Sequence, residues 1–256
     1  RRQRQMCIRD SCIGGAYVYV RSGASWVQQG GKLAGVAFQF NAAAVSADGS
    51  TILIGGYGDN NNTGAGWVYV RSGAIWVQQG PKLVGTGAAG AAGQGISVAL
   101  SADGNTAALG GEFDNSSTGA IWVFTRSGNV WTQQGPKLVG SGSVGTVVYQ
   151  GRSVALSGDG NTLVAGGFED NNGVGAAWVF TRLGGNWIQQ GNKLVGSDRV
   201  GKSYQGIGVA VSHNGSTIAV GGMNDQSGQG AVWIYERSGN NWLQQGSKLS
   251  GNDAAG

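Results

Sequence analysis

Residues 95–140 read GISVALSADGNTAALGGEFDNSSTGAIWVFTRSGNVWTQQGPKLVG, and this stretch decides the fold. Gly95 to Ser101 alternates in polarity and is β-branched at its centre, which suits an inner strand. Asp103-Gly104-Asn105 supplies turn residues that tolerate positive φ, and Thr106 to Gly111 returns as a second strand, closing a tight hairpin. A polar loop, Glu112 to Gly119, leads into Ala120 to Arg126. The alternation there places Trp122 and Phe124 on one face and Ile121, Val123 and Thr125 on the other. After Ser127-Gly128-Asn129 an outer strand is predicted from Trp131 to Leu138.

The same four-strand unit recurs along the chain. Its aromatic strand and following Trp-x-Gln-Gln-Gly-x-Lys-Leu strand begin at Tyr17, Trp67, Trp122, Trp178 and Trp233, at spacings of 50, 55, 56 and 55 residues. Inner hairpins turn at Ser46 to Gly49, Ser101 to Gly104, Ser157 to Gly160 and Ser212 to Gly215. A period of this length with four short strands per unit predicts an all-β fold, a β-propeller of four-stranded blades. Four complete blades are expected at 36–88, 89–143, 144–199 and 200–251, preceded by a half blade. With five outer hairpins and four inner ones the ring is incomplete. Either the chain is a slice of a larger propeller or another chain supplies an inner hairpin. Paired tryptophans such as Trp67/Trp76, Trp122/Trp131, Trp178/Trp187 and Trp233/Trp242 are expected to fill the space between blades. Their alternative role is a carbohydrate-stacking platform.

Arg1 to Ser11, RRQRQMCIRDS, has no counterpart in the repeats and resembles translated sequencing-adapter read-through. Residues 1–12 are therefore expected to be non-native or disordered and residues 13–256 to form one propeller domain; a natural basic arm is the alternative. That segment carries three of the four net positive charges, so the repeats are nearly neutral. Without a Lys/Arg cluster to meet phosphates, nucleic acid is excluded as a partner. Both cysteines, Cys7 and Cys12, lie in or beside it, which leaves the repeats without a disulfide framework. No run of 18 apolar residues exists, so membrane insertion is not expected. Charged residues make up only 12% of the chain, a composition that favours an extracellular or cell-surface protein over a cytosolic enzyme.

The motifs Tyr149-Gln150-Gly151-Arg152-Ser153-Val154-Ala155-Leu156 and Gly175-Ala176-Ala177-Trp178-Val179-Phe180 resemble the FG-GAP type repeat in its second variant, and the resemblance covers about 240 of 256 residues. It implies a propeller related to the integrin α-subunit head and a role in extracellular recognition. Repeats of the integrin type hold calcium in an Asp-x-Asp-x-Asp-Gly loop. Here the matching turns hold at most one acid, too few for a hard cation, so no cofactor is expected and calcium is not favoured. The first unit departs from the motif at Phe38-Gln39-Phe40-Asn41-Ala42.

Candidate site residues fall on one loop face. Asp59, Asp114, Asp170 and Asp225 each stand three residues beyond a double glycine, either capping their own loops or forming a polar ring for a cation or glycan. Asp198, Arg199, Lys202 and Tyr204 belong to the most charged connection and are expected to meet a partner. Asn61, Asn115 and Asn214 begin sequons, all in predicted turns or loops. His213, the only histidine, occupies a hairpin tip and reads as a solvated turn residue. With little that titrates near neutrality, the expectation is a non-catalytic recognition or assembly module that is not an enzyme and binds protein or glycan through this face, with self-assembly through open blade edges. The alternatives are a building block of a sheath or filament and a fragment of a carbohydrate-active enzyme using Glu112 and Glu169.

Overall fold

The structure, a computed structural model, describes residues 5–9, 16–33 and 40–251. The N-terminal sheet comprises β1 (Gln5–Arg9), β2 (Ala16–Ser22) and β3 (Ser25–Gln28). The first blade contains β4 (Phe40–Val45), β5 (Thr51–Gly56), β6 (Ala65–Ser72) and β7 (Ile75–Gln78). The second contains β8 (Ser97–Leu100), β9 (Thr106–Gly111), β10 (Ala120–Ser127) and β11 (Val130–Gln133). The third contains β12 (Ser153–Leu156), β13 (Thr162–Gly167), β14 (Ala176–Leu183) and β15 (Asn186–Gln189). The fourth contains β16 (Gln205–Val211), β17 (Thr217–Gly222), β18 (Ala231–Ser238) and β19 (Asn241–Gln244). Each blade is an antiparallel meander in sequence order, as a propeller requires.

The inner hairpin is closed by chemistry repeated in every blade. In the second, the Ser101 hydroxyl donates to Asp103 at 2.5 Å and accepts the Thr106 N–H at 2.9 Å, while Gly104 takes the left-handed φ of 69° that the turn demands. Neighbouring turns then lock together: Ala47 N–H donates to the Ala102 carbonyl, Ala102 N–H to Gly158 and Gly158 N–H to His213. Exposed His213 is thus part of that chain through its backbone.

The outer strands are shorter than predicted. β11 stops at Gln133 because Gly135 takes φ 74° and Pro136 cannot donate; Leu138 then bridges back to Ile121. The register places Trp131 opposite Arg126, so the two tryptophans of a blade act separately. Trp122, Trp178 and Trp233 are fully buried between blades, leaving no face for stacking a sugar. Trp131, Trp187 and Trp242 lie under the guanidinium groups of Arg126, Arg182 and Arg237 at 5.4, 5.6 and 5.1 Å. Inter-blade packing is close: a Cβ on Gly85, Gly140 or Gly196 would overlap the indole of Trp122, Trp178 or Trp233 in the following blade.

The N-terminal segment departs from expectation. Residues 5–9 pair antiparallel with β2, from Gln5 opposite Val20 to Arg9 opposite Ala16, where no regular pairing was expected. The physical reason is the inner edge of β2, whose free N–H and C=O groups accept any extended segment within reach. The predicted half blade therefore has three strands. Of the irregular junction at Phe38 to Ala42, Phe38 and Gln39 lie outside the described residues; within the rest β4 shifts register between Phe40 and Ala42.

Candidate functional site

The four aspartates on the loop face are buried and already engaged. Asp114 accepts the Ala89 N–H at 2.7 Å and pairs with Lys137 at 2.5 Å; Asp170 accepts the Val144 N–H at 2.7 Å and pairs with Lys193 at 2.5 Å. Asp59 pairs with Lys82, and Asp225 with Lys248, the Val200 N–H and the Ser203 hydroxyl. Burial pushes the Asp225 carboxyl up, but Lys248 and the two other donors outweigh it and hold the group below the usual carboxylate range. Each aspartate is thus a strut to the lysine that follows the outer strand of its blade, and three also hold the connection arriving from the preceding blade. This role differs from both a loop cap and a cation ring. A constant 23-residue Asp-to-Lys spacing in all four blades is the sequence signal for it. Among the described residues no group of three or more His, Cys, Asp or Glu is placed to hold a metal ion.

After each aspartate the chain makes a left-handed turn. Asn60 to Asn62 have φ of 46°, 53° and 66°, and Asn115 to Ser117 have 49°, 54° and 69°. Asn and Ser tolerate this region better than most residues, and runs of it are rare. The turns latch onto the following connection, as when the Ser117 carbonyl accepts the N–H groups of both Val148 and Tyr149. These loops are therefore committed structure. Asn61 and Asn115 are exposed within them; Asn214 is exposed too, but its side chain accepts from Ser212 and Ser216.

The charged connection divides. Asp198 accepts the Lys248 N–H at 2.7 Å, the Trp233 indole at 2.8 Å and the Gln244 amide at 3.2 Å, bonds that hold its carboxyl below the usual range. Arg199 and Lys202 are exposed, reaching the Gly201 carbonyl and Asn172. Tyr204 is half-buried against Phe168.

One place on this face breaks the repeat with chemistry. Glu112 directly follows the double glycine that ends β9, where the other blades carry Tyr57, Phe168 and Met223. Arg152 directly precedes β12, where the neighbouring blades carry Ile96 and Ile207. Across the blade junction the Arg152 guanidinium donates to Glu112 at 2.9 Å. Glu112 is 3% exposed, whereas the Arg152 side chain is 40% exposed. Burial pushes the Glu112 carboxyl above the usual carboxylate range despite the opposing pull of Arg152.

Aromatic residues wall this pair. Arg152 lies 6.0 Å from the Phe168 ring, Tyr149 stacks on Phe168 at 5.1 Å, and Phe113 and Tyr204 meet the stack edge-on at 6.2 and 6.0 Å. Tyr149 and Tyr204 are held at φ 61° and 52°, strained for residues of their size, and such strain clusters at functional sites. The structure brings Glu112 to Arg152. Glu169 donates its N–H to the Val148 carbonyl. Sequence reasoning named Glu112 and missed Arg152 as its partner, forty residues later.

No family model matches the sequence, and neither does any curated protein. Solved structures do match in fold. The periplasmic gluconolactonase of Pseudomonas aeruginosa aligns at TM-score 0.62 and 15% identity, over 97% of this chain and 69% of that one. A Bacteroides fragilis protein provisionally assigned as a 6-phosphogluconolactonase gives 0.59 and 13%, over 92% of this chain and 65% of that one. The hydrazine synthase of Kuenenia stuttgartiensis gives 0.59 and 18%, over 93% and 61%. The chain thus spans about two thirds of these neighbours' length, and the likeness establishes a β-propeller architecture. It also corrects the functional expectation. A non-catalytic recognition or assembly module that is not an enzyme was expected from the scarcity of groups that titrate near neutrality and from the repeat class. That expectation is corrected here: two neighbours of this fold are named as a gluconolactonase and, provisionally, a 6-phosphogluconolactonase, so the fold is no ground for excluding an enzyme.

Proposed function

We propose that this chain is a hydrolytic propeller acting on a cyclic ester of a sugar acid, with its reacting centre at Glu112 and Arg152. The observation that carries the reading is the Glu112–Arg152 pair itself. It is a buried carboxylate with a raised pKa, bound to a partly exposed guanidinium, where every other blade is uncharged. In this scheme the Glu112 carboxylate accepts a proton from water, whose oxygen adds to the ester carbonyl. Arg152 holds the developing oxyanion. The ring C–O bond then breaks, and the proton on Glu112 passes to the departing alkoxide, giving the open hydroxy acid. Tyr149 and Phe168 offer an apolar wall to a sugar ring. The names of the neighbouring lactonases support the substrate class.

An exported location belongs to the same proposal, supported by the weakly charged surface and by the periplasmic origin of one neighbour. So does kinship with FG-GAP type repeats, supported by the recurring Trp-x-Gln-Gln strand. The test is hydrolysis of aldonolactones, measured above the spontaneous rate. Arg152→Ala is expected to lower the rate on the order of 10²–10³-fold, as removal of an oxyanion donor does. No acceleration by the folded wild-type protein, or full activity in the folded variant, would overturn the proposal.

A further inference from the structure

The repeat breaks again at the end of the blades away from the loop face. There an arginine next to last in β10, β14 and β18 ties its own hairpin turn to the preceding blade. Arg126 donates from Nε to Asn105 at 3.0 Å, and from Nη1 to Gln79 at 3.0 Å and Thr51 at 3.5 Å. Arg182 repeats this with Asn161 at 2.9 Å, Thr106 at 3.3 Å and Gln134 at 3.4 Å. Arg237 keeps one of the three, Thr162, which it meets through Nη2 at 2.9 Å.

The sequence explains the loss. Ser216 stands where Asn105 and Asn161 bind Nε, and its short side chain donates instead to Asn214 at 2.8 Å. Gln190, the counterpart of Gln79, accepts from the Trp242 indole, and its amide turns to the Gly239 carbonyl. Charge is lost as well. The Asp103 carboxylate acts on Arg126 and that of Asp159 on Arg182, whereas the fourth turn carries the neutral Asn214 at that position. Among the described residues nothing accepts from Nε or Nη1 of Arg237, and the residue is exposed. It lines a groove of about 500 Å³ between the third and fourth blades, with Thr181, Leu183, Ile188 and Asn240. Leu183 and Ile188 are 71% and 50% exposed and stand where the second blade has Ser127 and Thr132.

The geometry points to a binding site for a sugar acid, a monocarboxylate that also carries hydroxyl groups. With one Nη2 proton given to Thr162, an edge of the Arg237 guanidinium stays open for a carboxylate to take two parallel N–H bonds. Leu183 and Ile188 offer an apolar wall to the C–H face of the sugar, and Thr181 and Asn240 are the polar groups suited to its hydroxyls. A phosphate dianion would call for a second free cation. Arg182 borders the groove, but its Nε and Nη1 are committed to Asn161, Thr106 and Gln134. The site shares no residue with Glu112 and Arg152 and stands independently of the hydrolytic reading.

Isothermal titration of the folded chain with glucuronate tests this. Glucuronate should bind, and glucose and inorganic phosphate should each bind about tenfold more weakly or worse, since neither matches the single open fork with both charge and hydroxyls. Arg237→Gln should weaken glucuronate about tenfold or more, as loss of a hydrogen bond to a charged group does. Ser216→Asn keeps the arginine but returns the acceptor found in the other blades, so it should weaken binding too. No binding of glucuronate, equal binding of glucose, tighter binding of phosphate, or an affinity unchanged in both variants would overturn the inference. So would binding lost in Arg152→Ala and kept in both rim variants, which would place the sugar acid at the other centre.

Discussion

Asp114 is fully buried and charged, and the fold tolerates it because Lys137 and the Ala89 N–H satisfy its two oxygens. Asp114→Ala strands the lysine and the amide together, so urea titration should show a loss of about 3–5 kcal/mol, the usual cost of breaking a buried ion pair from one side. A loss within about 0.5 kcal/mol, typical of a free surface loop, would contradict the strut. At the same scale Trp122→Ala should cost about 3–5 kcal/mol, because the vacated space lies between two blades and cannot collapse. These residues differ in how far the sequence exposed their roles. Trp122 was legible as core, since alternation put it on the same face as Phe124 in a strand repeated five times. The aspartates were legible as a set but not as struts, because their lysines lie beyond the outer strand, 23 residues on, and only the constant interval joins them.

The inner hairpin shows which part of a turn's chemistry matters. Burial alone would raise the Asp103 carboxyl, but the Ser101 hydroxyl and the amides of Asn105 outweigh it and hold the group below its ordinary 3.8; Asp48 and Asp159 behave alike. A depressed folded value means stability that is present above the ordinary carboxylate range and is lost as pH falls through the depressed values. Acid titration of stability should therefore steepen below about pH 4, and the triple variant Asp48→Asn, Asp103→Asn, Asp159→Asn should flatten that limb. The fourth blade already carries the substitution: Asn214 accepts the Ser212 hydroxyl at 2.6 Å in the same turn. The single Asp103→Asn change should for that reason fold normally at neutral pH, which a thermal melt would check. Turns and strand order were readable from the Ser-x-Asp-Gly pattern because they depend on neighbours in sequence. The left-handed turns after Asp59 and Asp114 were not, since carbonyls that latch the next blade fix them.

Over the whole molecule, repetition both reveals the architecture and conceals the site. Packing between blades demands the same residues each time, so the period announces a propeller. Chemistry needs only one pair, and Glu112 and Arg152 appear in the sequence as two unrelated departures that the blade junction brings to 2.9 Å. The absence of nearby partners along the chain made an enzyme look excluded, and the fold brings Glu112 a partner in Arg152. The most direct test of this account is the pH dependence of aldonolactone hydrolysis by the purified chain, corrected for the spontaneous reaction. A general base works only when ionised, and burial holds Glu112 above its ordinary 4.5. The enzymatic rate should rise with pH through a midpoint above that value, and Glu112→Gln should lose this limb along with most of the rate. A corrected rate of zero at every pH, or a profile identical in Glu112→Gln, would contradict the assignment of the centre.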